Sequence, residues 1–200
     1  MGTRNLTCIK KNGEYKLAKY CQWDGYLTGQ GNSITEFLRE PGNIEKLRDR
    51  TDSLAFITPE ELKEKLVSVG ADPESVFVKW EVLDAFKKKF PELHRDNGGG
   101  DILRLICESE GEFKTINDID FAADSLFCEF AYVIDFDDNT FSWYSGFCKS
   151  PLDPNERFAF LSATADELMK DREGDHYSPV HQIGSVPLDP DKLPVFTDDE

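Results

Sequence analysis

The longest β signal in this chain is DSLFCEFAYVIDFDDNTFSWYSGFC, residues 124–148, in which two runs rich in aromatic and β-branched residues flank the turn-forming DDNT. Read with a period of two, the first run sets Cys128, Phe130, Tyr132, Ile134 and Phe136 on one face and Phe127, Glu129, Ala131 and Val133 on the other. This pair of strands is expected at the centre of a sheet. Glu129 is an acid on an otherwise apolar face, where a charge needs a partner or a role, and Arg4 and Arg95 are its candidate partners.

A second hairpin opens the chain. RNLTCIK and YKLAKYC flank KNGE, and Asn12-Gly13 is the strongest short turn signal a sequence can carry. A two-residue turn there pairs Cys8 with Leu17, Arg4 with Cys21 and Thr3 with Gln22, which seats the N-terminus beside the QWDGY stretch.

Helical signals fill the middle. Capping boxes are expected at Ser33-Ile34-Thr35-Glu36, at Thr58-Pro59-Glu60-Glu61 and at Thr164-Ala165-Asp166-Glu167. Asp72-Pro73 predicts a further start, with Trp80, Leu83, Phe86 and Phe90 forming its apolar face and Lys87 to Lys89 complementing the C-terminal dipole. RDNGGGDILRLICES reads as a glycine-rich loop running into a short apolar helix. The order of hairpin, helices, hairpin, helix and extended tail predicts an α+β fold, a mainly antiparallel sheet with helices packed on one side. A single domain is expected over residues 1–175, followed by an extended, Pro-containing acidic tail over 176–200 that frays at TDDE.

Charge narrows the function classes. The formal net charge is -16, and residues 101–200 hold 23 of the 39 acidic residues against 7 of the 23 basic ones. Such a surface repels nucleic acid, so no direct binding to DNA or RNA is expected. No stretch approaches the ~20 apolar residues of a membrane span, the first residues lack a signal-peptide core, and Leu6 stands where myristoylation asks for Ser or Thr. A cytoplasmic location follows as an expectation. Five scattered cysteines without a C-x-x-C pair argue against a disulfide framework and against a zinc site.

Four segments carry candidate chemistry. In QWDGYLTGQG, Trp23 and Tyr26 offer stacking faces, Asp24 and Gln30 orient hydrogen bonds, and the glycines permit close approach; an Arg4–Asp24 pair is the expected consequence of the hairpin register. The alternative is a structural loop whose aromatics plug the core. HRDNGGGD lacks Walker spacing and its Lys, and Asp96 and Asp101 bring the wrong charge for a phosphate, which leaves Arg95 and Asp96 as site candidates. Cys128 has no His nearby in sequence and is expected to be a buried, inert thiol. DFDDNTF resembles a calcium loop, but Thr140 replaces the required Gly and Gly146 stands where the bidentate Glu belongs, so a hairpin turn is expected. No metal or cofactor is expected.

The strings MGTRNLTC, YKLAKYCQWDGYLTGQG, LHRDNGGGDILRLI and DSLFCEFAYVID together resemble a family of uncharacterised phage, bacterial and fungal proteins with Gly-Thr-Arg and Gln-Trp-Asp-Gly-Tyr patterns. The resemblance covers most of residues 1–150 and carries no established activity. Cys21 stands where that family usually has Gly, Leu27 where it has Pro, and NGGGD where it has a Gly-Ala-Lys run. The opening strand, turn and strand are also similar to the start of N-terminal nucleophile hydrolases, a likeness that implies Thr3 as nucleophile once Met1 and Gly2 are removed.

Two readings of function follow. One is a small-molecule site built from Arg4, Trp23, Asp24, Tyr26, Gln30, Arg95, Asp96 and Glu129, with hydrolysis as a further capacity. The other is a non-enzymatic acidic protein that binds a basic partner, as an inhibitor or nucleic-acid mimic would.

Overall fold

In the computed structural model, which describes residues 2–75, 77–172 and 174–198, the Asn12-Gly13 turn forms as its residue types require. Asn12 and Gly13 both take positive φ, 58° and 77°, and join β1 (Asn5–Lys11) to β2 (Glu14–Cys21). The register differs from the expected one. An irregularity between Ile9 and Lys10 leaves Lys16 as an extra residue, so Ile9 rather than Cys8 faces Leu17, and Asn5 rather than Arg4 faces Cys21. One inserted residue keeps the apolar set of each strand inward while displacing every later pair by one.

The hairpin of residues 124–148 becomes β5 (Phe130–Asp135) and β6 (Thr140–Ser145), antiparallel as expected. β5 also lies parallel to β1, and the main sheet runs β2-β1-β5-β6-β7, where β7 is His181–Pro187. The two hairpin turns meet. Asp137 accepts from the Asn12 and Gly13 backbone N–H groups at 2.6 and 2.8 Å, which fixes the alignment of the central parallel pair.

Helices α1 (Asn32–Arg39), α2 (Asn43–Arg50) and α5 (Gly99–Glu108) cover one face and bury Ile34, Phe37, Leu47, Ile102 and Ile106 against Ile9, Leu17, Tyr132 and Ile134. The opposite face is closed by shorter pieces, which pack Ala122, Ala123, Phe158, Leu161 and Ala165 of α6 (Ser162–Met169) on Leu6, Cys8, Val133 and Tyr144. Both faces of β5 are apolar and both need cover. Cys128 joins this second cluster, not the face of Phe130 and Tyr132, because the strand begins only at Phe130 and its alternation does not reach back to 128.

Beyond the β2 edge stands a small parallel sheet of β3 (Leu54–Phe56) and β4 (Phe113–Thr115), with α3 (Pro59–Val67) and α4 (Trp80–Lys89) beside it. The Thr58 box forms in full with Pro59 in the first turn. The other two boxes do not form. α1 starts at Asn32 out of a wide turn over Leu27–Gly31, so Ser33 lies inside the helix and its Oγ accepts from Gly100 N at 3.2 Å. α6 starts at Ser162 without a side-chain cap, placing Thr164 within it.

α4 begins at Trp80, not at Asp72-Pro73, where Asp72 instead caps a turn through Glu74 N. Val82 and Phe86 are its buried residues, and Trp80 is 77% exposed. Val76, in the stretch expected to be helical, lies outside the described residues.

Residues 176–198 run extended apart from a short 3-10 turn at Pro190–Lys192, and they are part of the domain. β7 completes the main sheet, Leu188, Leu193 and Phe196 enter the core, and Asn32 clamps the Phe196 backbone with two hydrogen bonds of 2.9 Å. The boundary at 175 gives way because Phe196 packs edge-on against Trp143 at 5.2 Å, apolar area that β6 would otherwise leave wet. Of TDDE, where fraying is expected, Thr197 and Asp198 are exposed, with Asp198 accepting from Thr28 Oγ1 at 3.2 Å, and Asp199 and Glu200 lie outside the described residues.

Candidate functional site

The QWDGY stretch is held to the first strand by its glycine. Gly25 N donates to Thr3 O at 2.9 Å, and a Cβ at Gly25 would come within 2.8 Å of that same oxygen, so only glycine lets the loop close on the strand. Asp24 takes φ 54°, a left-handed conformation that Asp tolerates better than most residues. Its carbonyl accepts from Gln30 N at 2.8 Å and its carboxylate from Tyr26 OH at 3.4 Å. Asp24 and Tyr26 are thus tied to each other, exposed, within the loop.

Trp23 turns the other way. Its Nε1 donates to Asp96 Oδ1 at 2.9 Å, while Lys87 at the end of α4 donates to Asp96 Oδ2. Arg95 follows the same path, because Gln22 N donates to Arg95 O at 2.9 Å. The loop over residues 94–98 is brought there by Gly98, which lies so close to β2 that a Cβ added to it would stand only 2.4 Å from Cys21 Cβ. Any larger residue would lift the start of α5 off β2.

These contacts bound a pocket of about 450 Å³ between α3, α4 and the Trp23 corner. Leu62, Leu66, Leu83, Phe86 and Ile116 form its apolar walls; Trp80 and Trp23, 77% and 46% exposed, stand at its opening. His94, Arg95, Asp96 and Lys87 supply its polar rim.

Burial works to raise the Asp96 pKa, but the hydrogen bonds from Lys87 and Trp23 outweigh it and hold the carboxylate below its usual range. Burial also pushes His94 down, with Asp96 opposing. Asp96 N donates to His94 Nδ1 at 3.3 Å, which assigns that nitrogen as acceptor and leaves Nε2–H as the donor of the neutral ring.

The expected Arg4–Asp24 pair is absent. Arg4 goes to Glu129 instead: its backbone N donates to Glu129 Oε1 at 3.1 Å, and its Nε stands 3.6 Å from the same oxygen. The guanidinium lies over the Phe127 ring at 4.6 Å, and Arg172, paired with Asp124, covers that ring at 5.2 Å. Gln30 packs against Gly99, with Nε2 3.5 Å from Trp23 O and Oε1 buried without a partner among the described residues.

The eight candidate residues therefore fall into three groups. Trp23, Arg95 and Asp96 share the pocket; Arg4 and Glu129 form an ion pair; Asp24, Tyr26 and Gln30 shape the loop. Trp80, Lys87, His94 and the leucines of α3 were missed by sequence reasoning. Trp80 read as one more member of an apolar helical stripe, and no local pattern separates a core tryptophan from one at a pocket mouth.

A second concavity, an open groove of about 890 Å³, lies at the other end of the sheet among Lys10, Tyr15, Asp138, Asp153, Glu156 and Arg157. Its floor is a charge network. Asp135, 0% exposed, accepts from Lys10 at 3.3 Å and from Arg157, and Arg157 Nε donates to Tyr144 OH at 2.9 Å. Burial opposes the Asp135 charge, yet the Arg157 contact and the Asp137 and Asp138 backbone N–H groups bring its pKa below the ordinary value.

Burial pushes the Cys128 thiol far up, and all five cysteines are free. Among the described residues no group of three or more His, Cys, Asp and Glu is placed to hold a metal ion, and no helix is long and apolar enough to cross a membrane. Set against known protein families, curated proteins and solved structures, the chain has no significant match.

Proposed function

We propose that this protein binds a small amphipathic molecule in the pocket between α3, α4 and the Trp23–Asp96 corner. The observation that carries the reading is an apolar hollow of about 450 Å³ with two exposed tryptophans at its mouth. That volume lies within the range of small-ligand sites, and apolar walls with a few convergent polar groups are their usual composition. Exposed Trp80 is costly to keep wet unless something covers it.

Binding is a better reading than hydrolysis. A general base needs a free lone pair within reach of the proton it takes, and Nδ1 of His94 is occupied by Asp96 N–H. Asp96 is engaged by two donors, and Cys21, whose Sγ lies 3.6 Å from Asp96 O, has its pKa raised by burial.

The test is titration of the protein with 1-naphthaleneethanol, a neutral bicyclic probe, followed by tryptophan fluorescence and by heteronuclear NMR of the indole N–H signals. Saturable shifts at Trp23 and Trp80, lost in Leu66→Glu at unchanged melting temperature, are expected. Shifts scattered over the surface would sink the reading.

The acidic groove supports the second reading. Asp138, Asp153 and Glu156 stand beside Tyr15 and Phe160 there, an arrangement suited to a cationic side chain of a basic partner protein. Binding of an Arg-rich peptide that weakens steeply between about 50 and 200 mM salt supports it, and salt-insensitive binding counts against it.

A further inference from the structure

The rim of the Trp23 pocket is richer in unused donors than in unused acceptors. Asp96, its acid nearest the indole, already accepts from Trp23 Nε1 and from Lys87. Asp84, the other carboxylate of the lining, accepts from Lys88 at 2.7 Å. His94 has its acceptor nitrogen filled and keeps Nε2–H. Arg95 is exposed and enters no side-chain hydrogen bond or ion pair among the described residues, its backbone alone being tied to Gln22.

A second guanidinium, that of Arg4, lies close by but is already paired with Glu129. The β1–β2 register that pairs Asn5 with Cys21 carries Arg4 towards Gln22, and the backbone bond from Gln22 brings Arg95 to the same residue. The Tyr20 hydroxyl, which donates to Gln22 Oε1, sits within the electrostatic reach of both arginines. With Gln22 Oε1 taken, its Nε2 remains a donor. Arg95 thus stands at the rim as a guanidinium with no carboxylate partner among the described residues, on a chain whose net charge is -16.

We infer that the ligand of this pocket is an organic oxyanion, a carboxylate or phosphate monoester on a flat apolar body. Its body lies between Trp23 and Trp80, and its charged group meets Arg95 and His94 Nε2–H. A guanidinium matches either oxyanion with two parallel N–H bonds, and a charge-assisted bond is about twice as strong as a neutral one. This rests on the pocket being a ligand site, and the experiment separates the two.

Three probes of one shape are compared by isothermal titration with the full chain: 1-naphthaleneacetate, 1-naphthyl phosphate and the neutral 1-naphthaleneethanol. Wild type is expected to bind at least one of the anions about tenfold or more tightly than the alcohol. Arg95→Gln is expected to erase that preference while leaving the alcohol's affinity and the melting temperature unchanged. Preference for one anion over the other then tells carboxylate from phosphate. Equal binding of anions and alcohol, or a preference that survives Arg95→Gln, overturns the oxyanion assignment and leaves the pocket standing. Failure of all three probes to bind overturns the pocket and the assignment together.

Discussion

The pocket at Trp23 and the groove at Arg157 sit towards opposite ends of the β1–β2 hairpin and solve opposite problems. In the pocket, charges stand at the rim and apolar side chains form the interior, with Trp80 left 77% exposed. In the groove, the charges are inside: Asp135 is fully buried and held by Lys10 and Arg157, while Asp138 and Asp153, both exposed, line the walls. Buried charge tolerates little change, because removing one partner strands another in a poorly solvated place. A rim charge is screened and replaceable. The groove floor is therefore structural first, and the pocket mouth is free to serve a ligand.

The sharpest way to break that contrast is to cut a carboxylate from each region. Asp135→Ala should cost about 3–5 kcal/mol, because Arg157 and Lys10 both lose their buried partner. Asp96→Ala should cost no more than about 1 kcal/mol. Urea denaturation of both variants measures the difference, and similar losses would mean that the pocket corner is as structural as the groove floor.

Next in size is Trp80→Ala. Its exposure predicts a stability change within about 0.5 kcal/mol, while the loss of one stacking wall should weaken 1-naphthaleneethanol binding severalfold. A large drop in melting temperature with unchanged affinity would invert the comparison.

Gly98→Ala tests the same corner through the backbone. The added Cβ would meet Cys21 Cβ at 2.4 Å and must displace the 94–98 loop. Affinity in the pocket should fall, while the Asn12 and Gly13 N–H groups that Asp137 holds at the groove end should exchange as in wild type.

The smallest effect is on pH. Burial keeps the folded pKa of His94 below its ordinary 6.5, so on acidification the unfolded chain takes up a proton first. The stability this residue contributes is present above 6.5 and is lost as pH falls through the folded value. Asp96, with its folded pKa below 3.8, stays charged throughout that window and keeps its hold on Trp23. Wild type should therefore lose slightly more melting temperature between pH 7 and pH 5 than His94→Gln does, and equal slopes would place His94 in ordinary solvent.

Much of the secondary structure was readable from local chemistry. Asn12-Gly13, the Thr58 capping box and the two strands around DDNT all work through neighbours a few residues apart, and all three formed. Ser33 misled because its hydroxyl had a better use. Gly100 N, 67 residues away, takes it, and the wide turn at Leu27–Gly31 starts the helix without a cap.

The candidate site was legible in its members and, in their grouping, only at Glu129, which pairs with Arg4, one of the two partners its place on an apolar face called for. Arg4 chose Glu129 over Asp24 because β1 runs parallel to β5, a pairing across more than a hundred residues that no hairpin register contains. Trp23 found Asp96 because Gly98 lets α5 settle on Cys21.

Residue type and short-range spacing thus decided which segments became turns, strands and capped helices, since those choices are settled by φ preferences and hydrogen bonds within a few residues. Tertiary structure alone decided that Lys16 would bulge, that β7 would complete the sheet and that Trp80 would stand at a pocket mouth. Each of these outcomes depends on which distant surface is there to be covered, and burial is a property of the assembled core.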